Sequence, residues 1–371
     1  MSSLRIVVPE NIKKIGDEVN RGLKKISGSD EDYIITPDLI RFKNGEGKCT
    51  YQQYVQDEDL YILSDVSNDS ITYDTRNGKN HMSPDEHYRD VMRMISATVN
   101  RAKKITVVLP YLYQSRQDKI CVSSGQESLD LAMTLRDLSG LGVKELITAD
   151  VHNKYACDNA ANSMIIDNFY CSDNIMLQLL DKEDFDVSKL VVASPDFGAS
   201  SRAKFYADTI GNLPFGIFYK ERNRNKVQNG TNEIQSHTFL FNGDLNGKSI
   251  IIPDDMIDSG GSMIDSARKL KAKGTENIYL IATFGLFSKG SRENFDAAYA
   301  EGIFKKLYVT NLNYVPEEIL SSPWIEQVNC SEKIARIIYR LHNGLPIQDL
   351  LKADEETVEK IREKVRQKKR G

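Results

Sequence analysis

Short apolar runs recur along the chain, and most of them are followed by segments in which apolar residues return every three or four positions. The runs predict buried β-strands, and the segments between them predict amphipathic α-helices. The predicted strands are residues 4–8, 60–63, 105–109, 146–147, 190–193, 215–218, 250–252, 278–282 and 307–309. Because strands that alternate with helices are joined by crossover connections, we expect an α/β protein with mostly parallel sheets and helices on both faces.

The predicted strands fall into two groups on either side of the polar stretch 158–163. A chain of 371 residues is long enough to form two domains, each with its own core. We therefore predict an N-terminal domain over residues 1–160 and a C-terminal domain over residues 161–350. Residues 351–371 are charged and carry apolar residues at helical spacing, which predicts a tail helix that is either solvated or used in an oligomer contact.

One internal segment departs from the alternation of strands and helices. Residues 66–85 are polar and rich in turn-forming residues. This composition predicts an extended loop that leads into a helix starting near Glu86. A loop of this length is unusual as a simple connector, and its role stays open at this point.

The composition excludes several classes of protein. No apolar run approaches the roughly 20 residues needed to cross a bilayer, and the first residues lack the features of a signal peptide, so we expect a cytoplasmic protein without a membrane partner. The 5 cysteines are widely spaced, which indicates neither a disulfide framework nor a zinc site. A net charge of -4 argues against nucleic-acid binding, so a polyanion would have to bind in a local pocket.

The most informative segment is 250–265, which reads I-I-I-P-D-D-M-I-D-S-G-G-S-M-I-D. It predicts a strand, a tight turn and a helix, and the turn consists of Asp258, Ser259, Gly260, Gly261 and Ser262. Free N–H groups at a helix N-terminus attract phosphate, and the glycines let the backbone approach it closely. Asp254 and Asp255 would repel phosphate, so their expected partners are sugar hydroxyls or a hydrated Mg²⁺. A phosphorylated sugar fits the whole segment, and an ordinary strand, turn and helix cap is the alternative.

Polar residues also follow two other predicted strands. Arg116, Gln117 and Asp118 come after one of them, where a guanidinium can bind phosphate and an amide can pair with a base, so an ATP-like ligand fits. Asp150 and His152 end the next strand, and their spacing is expected to point both side chains to one side, where they could ligate Mg²⁺. A surface loop with a salt bridge and a structural histidine are the alternatives.

Two further segments carry groups suited to a diphosphate. In S-P-D-F-G-A-S-S-R-A-K, residues 194–204, Asp196 can hold a metal ion. Backbone and hydroxyl donors for a diphosphate are expected there from Gly198, Ala199, Ser200 and Ser201. Further along, a predicted loop carries the cations Lys220, Arg222, Arg224 and Lys226. This loop is either solvated or a mobile flap that closes over phosphates.

In order and spacing, these motifs resemble those of the ribose-phosphate pyrophosphokinases, or phosphoribosyl-diphosphate (PRPP) synthetases, within the phosphoribosyltransferase superfamily. The matching segments are R-F-K-N-G-E, R-Q-D, D-x-H, S-P-D-x-G, K-x-R, D-D-M-I-D-S-G-G-S and S-E-K-I-A-R-I-I-Y-R-L-H. The resemblance implies two phosphoribosyltransferase-like domains, each a mostly parallel sheet flanked by helices. It also implies a homo-oligomer built from dimers, of which a hexamer is one form.

The resemblance further implies the reaction, which is Mg²⁺-dependent transfer of the β,γ-diphosphate of ATP to O1 of ribose 5-phosphate, giving PRPP and AMP. The implied nucleotide-binding residues are Phe42, Asn44 and Glu46, which would reach the adenine bound to a neighbouring subunit, and Arg116, Gln117 and Asp118. Ribose 5-phosphate would be bound by Asp254, Asp255 and the 258–262 loop, and the diphosphate by Asp196, Gly198, Ala199 and Ser200. His152 and Asp196 would coordinate Mg²⁺, and Lys220 and Arg222 would be catalytic.

Two other interpretations remain open at this stage. One is a phosphoribosyltransferase, which would consume PRPP and would share the D-S-G-G-S loop, although the R-Q-D and R-F-K-N-G-E segments argue against it. The other is a catalytically weak regulatory homologue that binds nucleotide and associates with an active synthetase. Formation of AMP from ATP separates these interpretations from the synthetase.

Overall fold

A computed structural model of the protein describes residues 3–120, 125–161, 163–228 and 231–369, without the side chains of residues 220–237. The strands are β1 (Leu4–Val7), β2 (Ile34–Ile35), β3 (Asp38–Arg41), β4 (Gly47–Thr50), β5 (Asp59–Leu63), β6 (Thr72–Thr75), β7 (Gly78–His81), β8 (Lys104–Val108), β9 (Glu145–Ala149), β10 (Ile165–Phe169), β11 (Leu190–Ser194), β12 (Phe215–Gln228), β13 (Thr231–Leu240), β14 (Ser249–Ile257), β15 (Ile278–Gly285), β16 (Lys306–Thr310) and β17 (Ile325–Val328).

The helices complete an α/β architecture. They are α1 (Lys13–Ser27), α2 (Pro84–Thr98), α3 (Asp130–Gly140), α4 (Lys154–Ala160), α5 (Ser172–Lys182), α6 (Ser200–Gly211), α7 (Gly261–Lys271), α8 (Ser291–Ala300), α9 (Glu317–Leu320), α10 (Ser331–His342), α11 (Gln348–Lys352) and α12 (Glu355–Lys368). The prediction of mostly parallel sheets flanked by helices is confirmed. Among the residues that the structure describes, no helix has both the length and the hydropathy required to cross a membrane.

Close contacts group the chain into two units, and neither unit is a continuous segment. The first consists of residues 1–171, 311–316 and 329–353. The remaining residues, 172–310, 317–328 and 354–371, form the second. The division made from the sequence instead assigned residues 329–350 to the C-terminal domain and treated 351–371 as a separate tail.

The first unit is built on a parallel six-stranded sheet in the order β10-β9-β8-β5-β1-β2. Its central strands are fully buried and therefore show continuous apolar runs rather than alternation. Helix α10, which is distant in sequence, packs against α1. A Cβ on Gly22 of α1 would lie only 2.8 Å from the Cβ of Ala335, so glycine permits this close approach.

The 66–85 segment is more ordered than the extended loop predicted from the sequence. It contains an antiparallel hairpin of β6 and β7, in which Thr72 pairs with His81 and Thr75 pairs with Gly78. Most residues of both strands are at least partly exposed, so they lack the apolar alternation by which a strand is recognised. Helix α2 follows at Pro84, where Ser83 and Glu86 form a capping box.

The second unit is built on a seven-stranded sheet in the order β13-β12-β11-β14-β15-β16-β17. All neighbouring pairs are parallel except β12 and β13. Strand β14 extends to Ile257, five residues beyond its predicted end, because its pairing with β15 continues to Ile257 and Gly285. Asp254 and Asp255 therefore lie within the strand rather than after it.

The basic segment after residue 218 is a strand rather than the predicted loop. Strand β12 continues to Gln228 and pairs antiparallel with β13, with register shifts after Glu221 and after Arg222. Polar and charged residues dominate β12 after Tyr219 and most of β13, so no apolar pattern indicated these strands in the sequence. The backbone of Lys220 and Arg222 belongs to β12, whereas their side chains lie outside the described residues.

The predicted tail helix packs within the second unit as α12. Its apolar residues Ile361 and Val365 are buried, and the side chain of Lys364 pairs with Asp181 of α5. Asp354 begins the helix by accepting a hydrogen bond from the N–H of Thr357 at 3.3 Å. The apolar stripe that suggested a solvated helix or an oligomer contact is thus covered by the tail's own unit.

Candidate active site

The sheet of the second unit changes direction between β11 and β14. From β11 the chain passes through α6 to β12 on one side, and from β14 it passes through α7 to β15 on the other. The pairing of β11 with β14 ends at Val192 and Ile251, and both strands continue beyond that point. Open α/β sheets bind ligands at such switch points, outside the carboxyl ends of the strands.

The loop after β14 turns sharply into α7, and its two glycines have different roles. Gly260 has a φ of 76°, and a Cβ there would lie 2.4 Å from the buried ring of Phe295. Gly261 begins α7, and the nearest atom to its added Cβ would be Ser259 Oγ at 3.8 Å. Gly260 occupies the N-cap position and has no side chain that could cover the first turn of α7, and a helix N-terminus attracts anions. Ser259 and Ser262 lie exposed beside this turn, and Asp258 is half-buried.

Asp254 and Asp255 form an adjacent carboxylate pair just before this loop. Asp255 is 5% exposed, and its Oδ1 accepts a hydrogen bond from the N–H of Met256 at 2.8 Å. Desolvation and the neighbouring Asp255 carboxylate raise the pKa of Asp254 above the usual carboxyl range. Arg202 opposes this rise, since its Nη1 lies 3.9 Å from Asp254 Oδ1. Two adjacent carboxylates near the carboxyl end of β14 can accept hydrogen bonds from hydroxyls of a sugar.

A second loop lies at the carboxyl end of β11 and is held by its own hydrogen bonds. Asp196 Oδ1 accepts from the N–H of Ala199 at 3.0 Å, and Ser194 Oγ donates to the carbonyl oxygen of Asp196 at 2.6 Å. The Ser200 hydroxyl donates to the carbonyl oxygen of Phe197, so its hydrogen is engaged within the loop. Gly198 is exposed, and a Cβ there would lie 3.2 Å from Asp196 Oδ1. This loop is a pre-formed turn that leads into a helix N-terminus.

In the first unit, the tip between β3 and β4 carries three of the predicted nucleotide-binding residues. The Phe42 ring is 48% exposed. Asn44 Nδ2 donates to Glu46 Oε2 at 2.8 Å, and the N–H of Glu46 donates to Asn44 Oδ1 at 3.2 Å. The tip therefore presents a flat apolar ring beside a fixed amide and carboxylate, which suits stacking and hydrogen bonding to a base.

The other predicted nucleotide-binding residues follow β8, next to the loop that follows β9. Arg116 and Gln117 are exposed. Asp118 Oδ2 accepts a hydrogen bond from Asn153 Nδ2 at 2.6 Å, and Asn153 also caps α4 through its Oδ1. Asp118 thus fixes the two neighbouring loops to each other. The sequence analysis did not single out Asn153, although an Asn directly before a helix is a typical cap signal.

The expected arrangement of Asp150 and His152 on one side of a strand is wrong. Strand β9 ends at Ala149, and Asp150 has a φ of 38°, so the alternation of an extended chain does not apply. Asp150 is buried and His152 is exposed. The described part of the chain contains no group of three or more His, Cys, Asp and Glu side chains placed to hold a metal ion.

Arg202 is the site residue that sequence reasoning missed. It lies on α6, directly after the Asp196 loop, and reaches toward Asp254 on β14. Its side chain is only 18% exposed. The motif S-P-D-F-G-A-S-S-R contains it, but its partner is 52 residues away in sequence, and no local pattern predicts that contact.

Comparison with known families covers most of the chain. A model described as the N-terminal domain of ribose phosphate pyrophosphokinase matches residues 8–142. A model described as phosphoribosyl synthetase-associated domain matches residues 221–352. These matches span segments of both units and all motifs named above except the loops after β9 and β11 and residue 220.

Individual relatives agree with the family models. A ribose-phosphate pyrophosphokinase of Synechococcus elongatus is 26% identical over 84% of this chain and 85% of its own. Ribose-phosphate pyrophosphokinase 4 of Saccharomyces cerevisiae is 28% identical over 82% of this chain and 84% of its own. The crystal structure of phosphoribosylpyrophosphate synthetase from Mycobacterium smegmatis covers 92% of this chain and 100% of its own, with a TM-score of 0.75 and 21% identity, which is a likeness of fold.

The family models, the curated relatives and the shared fold point to one family, and they confirm the resemblance inferred from the motifs. The chain belongs to the ribose-phosphate pyrophosphokinase (PRPP synthetase) family of enzymes.

Proposed function

We propose that this enzyme transfers the β,γ-diphosphate of ATP to O1 of ribose 5-phosphate, giving PRPP and AMP. The observation that carries the proposal is the pair of anion-binding loops at one switch point, with two carboxylates beside one of them. One loop suits the phosphate of a phosphorylated sugar, and the other suits a diphosphate. A reaction that joins a diphosphate to a sugar phosphate needs both.

Ribose 5-phosphate would bind at the carboxyl end of β14. The 5-phosphate would accept hydrogen bonds from the first turn of α7 and from the hydroxyls of Ser259 and Ser262. Asp254 and Asp255 would accept hydrogen bonds from the ribose 2- and 3-hydroxyls, which places O1 toward the neighbouring loop. The backbone of residues 198–200 would donate to the incoming diphosphate.

ATP would bind through residues of the first unit. Arg116 would bind its phosphates, and Gln117 would contact the nucleotide, with Asp118 holding their loop against Asn153. Phe42, Asn44 and Glu46 would read the adenine of a nucleotide bound to a neighbouring subunit, so we also propose a homo-oligomer built from dimers. We further propose that the enzyme acts in the cytoplasm.

The transfer requires no covalent intermediate with the protein. O1 of ribose 5-phosphate attacks the β-phosphorus, the bond from that phosphorus to the α,β-bridging oxygen breaks, and AMP leaves with that oxygen while the O1 proton is lost to water. Lys220 and Arg222 would stabilise the charge on the transferring group, as cations do in other phosphoryl transfers. This role is supported by the concentration of cations in the β12 segment of a chain whose net charge is -4.

Asp196 fits a Mg²⁺ ion that binds mainly through phosphates and water. Its carboxylate is half-buried, and a backbone hydrogen bond fixes one oxygen beside the diphosphate loop. Mg²⁺ usually keeps several waters and takes only one or two carboxylates, so a dense cluster of protein ligands is not required. His152 would be the second ligand. When bound, the ion would neutralise part of the diphosphate charge.

The two other interpretations can be tested in one assay. The enzyme is supplied with ATP, ribose 5-phosphate and Mg²⁺, or with PRPP, a nucleobase and Mg²⁺, and products are separated by anion exchange. AMP and PRPP in equal amounts from the first mixture, with no nucleotide from the second, are expected. A nucleotide and diphosphate from the second mixture would instead identify a phosphoribosyltransferase. ATP binding without AMP would identify a regulatory homologue.

A further inference from the structure

We propose that the β6–β7 hairpin, residues 72–81, is a positioning element that holds the nucleotide-reading tip, residues 42–46, in its binding conformation. The role of the tip rests on the proposed function. The contacts that tie the hairpin to the tip lie entirely within the first unit.

The first contact is a hydrogen bond between the two turns. The backbone N–H of Arg76, in the turn of the β6–β7 hairpin, donates to the carbonyl oxygen of Lys43 at 3.1 Å. Lys43 lies between Phe42 and Asn44, within a turn closed by the N–H of Gly45 and the carbonyl oxygen of Phe42 at 2.8 Å. The hydrogen bond from Arg76 therefore fixes the peptide between Lys43 and Asn44, inside the turn that begins at Phe42.

The second contact is Tyr73 of β6, which lies beneath the base of the tip. The guanidinium of Arg41, the residue before Phe42, lies 5.5 Å from the centre of the Tyr73 ring. A Cβ on Gly45 would lie 3.5 Å from the Tyr73 hydroxyl oxygen. Tyr73 thus contacts Arg41, at the end of β3, and lies close to Gly45 within the tip.

The hairpin is itself fastened to helix α2, so it can resist movement of the tip. The Tyr73 hydroxyl donates to Glu86, and Asn80 Nδ2 lies 3.4 Å from both Glu86 carboxylate oxygens. The N–H of Ser83 donates to Glu86 Oε2 at 2.9 Å. Arg41 bonds to the same helix through Asp90 Oδ2 at 2.5 Å and the carbonyl oxygen of Glu86 at 3.3 Å. Tip, hairpin and helix form one connected network.

This network supports affinity for the nucleotide rather than catalysis. A loop that is already in its bound conformation loses less conformational entropy when the ligand arrives. Loosening the tip should therefore raise the KM for ATP and leave the site for ribose 5-phosphate unchanged. Phe42, Asn44 and Glu46 remain the contacting residues, and the hairpin acts through them.

The Arg76–Lys43 hydrogen bond can be removed with a matched control. Arg76 follows Thr75, a strand residue, and occupies the first position of a two-residue turn that ends at Gly78. Arg76 is not among the residues with a positive φ, and proline is favoured at this position of turns in which φ is negative, so Arg76→Pro fits the turn but lacks the N–H. The extended Thr75 before it is also the kind of residue that proline requires. Arg76→Ala removes the same side chain and keeps the N–H. Only the proline variant should loosen the tip.

Two readouts test the proposal. For Arg76→Pro relative to Arg76→Ala, we expect the KM for ATP to rise about fivefold, the factor for one hydrogen bond of about 1 kcal/mol. The turnover number and the KM for ribose 5-phosphate should stay within about twofold. Hydrogen–deuterium exchange at residues 43–46 should accelerate by about fivefold in the proline variant, by the same hydrogen-bond argument.

The exchange readout does not depend on activity, so failure of the proposed reaction and failure of this inference are distinguishable. If the unmodified enzyme forms no PRPP, exchange at residues 43–46 still shows whether the hairpin holds the tip. Equal exchange in the two variants overturns the inference. So does faster exchange in Arg76→Pro without any change in the KM for ATP.

Discussion

At the residue scale, the acids of β14 show how a site can oppose stability. Asp254 and Asp255 are adjacent, and Asp255 is buried. Desolvation and the like charge of Asp255 raise the pKa of Asp254, while Arg202 partly compensates. Two acids that bind a sugar through its hydroxyls must stand close together, and the fold tolerates their repulsion. Arg202 connects the diphosphate loop to this acid pair.

Replacing Asp254 should show how much the ionised carboxylate destabilises the folded protein. A carboxyl with a raised folded-state pKa favours folding at pH values below its unfolded pKa, and this contribution is lost as the pH rises through the folded pKa. Asp254→Asn lacks this loss. The free energy of unfolding of the variant, minus that of the unmodified protein, should therefore increase from about pH 5 to about pH 9. Urea unfolding at both pH values measures the gain.

A control and a second readout make this prediction specific. Asp208→Asn removes one negative charge from the exposed side of α6, where Asp208 pairs with Lys204. Asp254→Asn should also raise the KM for ribose 5-phosphate by about tenfold, since the carboxyl oxygens that would accept from a ribose hydroxyl are replaced by an amide and one hydrogen bond of about 1.4 kcal/mol is lost. An identical change in stability at both pH values would contradict the stated environment of Asp254.

At the element scale, the strand, loop and helix formed by β14, residues 258–260 and α7 depend on two adjacent glycines. Gly260 lies in the left-handed region and against the ring of Phe295, whereas Gly261 has neither constraint. Gly260→Ala should lower the free energy of unfolding by about 2–4 kcal/mol, from left-handed strain and overpacking together. Gly261→Ala should fold normally, with stability within about 0.5 kcal/mol.

The same two variants also test the proposed phosphate site. The nearest protein atom to a Cβ on Gly261 would be Ser259 Oγ at 3.8 Å, which is an ordinary van der Waals distance. Any effect of Gly261→Ala on ribose 5-phosphate binding must therefore come from contact between the added methyl group and the ligand. We expect a higher KM for ribose 5-phosphate at normal stability, measured by chemical denaturation and steady-state kinetics. An unchanged KM in Gly261→Ala would argue that phosphate does not approach this backbone.

Elements differed in how well the sequence predicted them, and burial explains the difference. Strands such as β5, β11 and β15 are buried along their length and show continuous apolar runs. The β6–β7 hairpin is mostly exposed, and its polar sequence predicts a loop. Strand β12 was predicted only where it is apolar, before residue 219. The end of β14 was not predicted, because Asp254 and Asp255 lie within it and aspartate is disfavoured in strands.

The sequence predicted the local backbone geometry of the candidate site better than the contacts between distant residues. The D-S-G-G-S segment does turn into a helix N-terminus, because glycine and capping preferences act within a few residues. The pairing of Arg202 with Asp254 and the bond from Arg76 to Lys43 depend on sheet order and on a hairpin that the sequence did not reveal. Asp150 and His152 do not follow the alternation of a strand because β9 ends at Ala149 and the backbone of Asp150 is left-handed.

At the scale of the whole molecule, both units draw on segments that are far apart in sequence. Within the first unit, the N–H of Tyr314 donates to Asp65 Oδ2 at 2.5 Å, and Asn311 Nδ2 donates to Glu18 Oε2 at 2.9 Å. Helix α10 then packs on α1. A fragment that ends near residue 160 would lack these segments, so the first unit requires the later part of the chain.

The central claim is that the diphosphate of ATP is transferred intact to a sugar phosphate, and phosphorus NMR of the reaction tests it most directly. The enzyme is mixed with ATP, ribose 5-phosphate and Mg²⁺, and the ³¹P spectrum is followed over time. We predict that the β and γ signals of ATP are replaced by two mutually coupled signals of a diphosphate on C1 of ribose, with AMP formed in equal amount. Formation of ADP, or of free phosphate without AMP, would contradict the account.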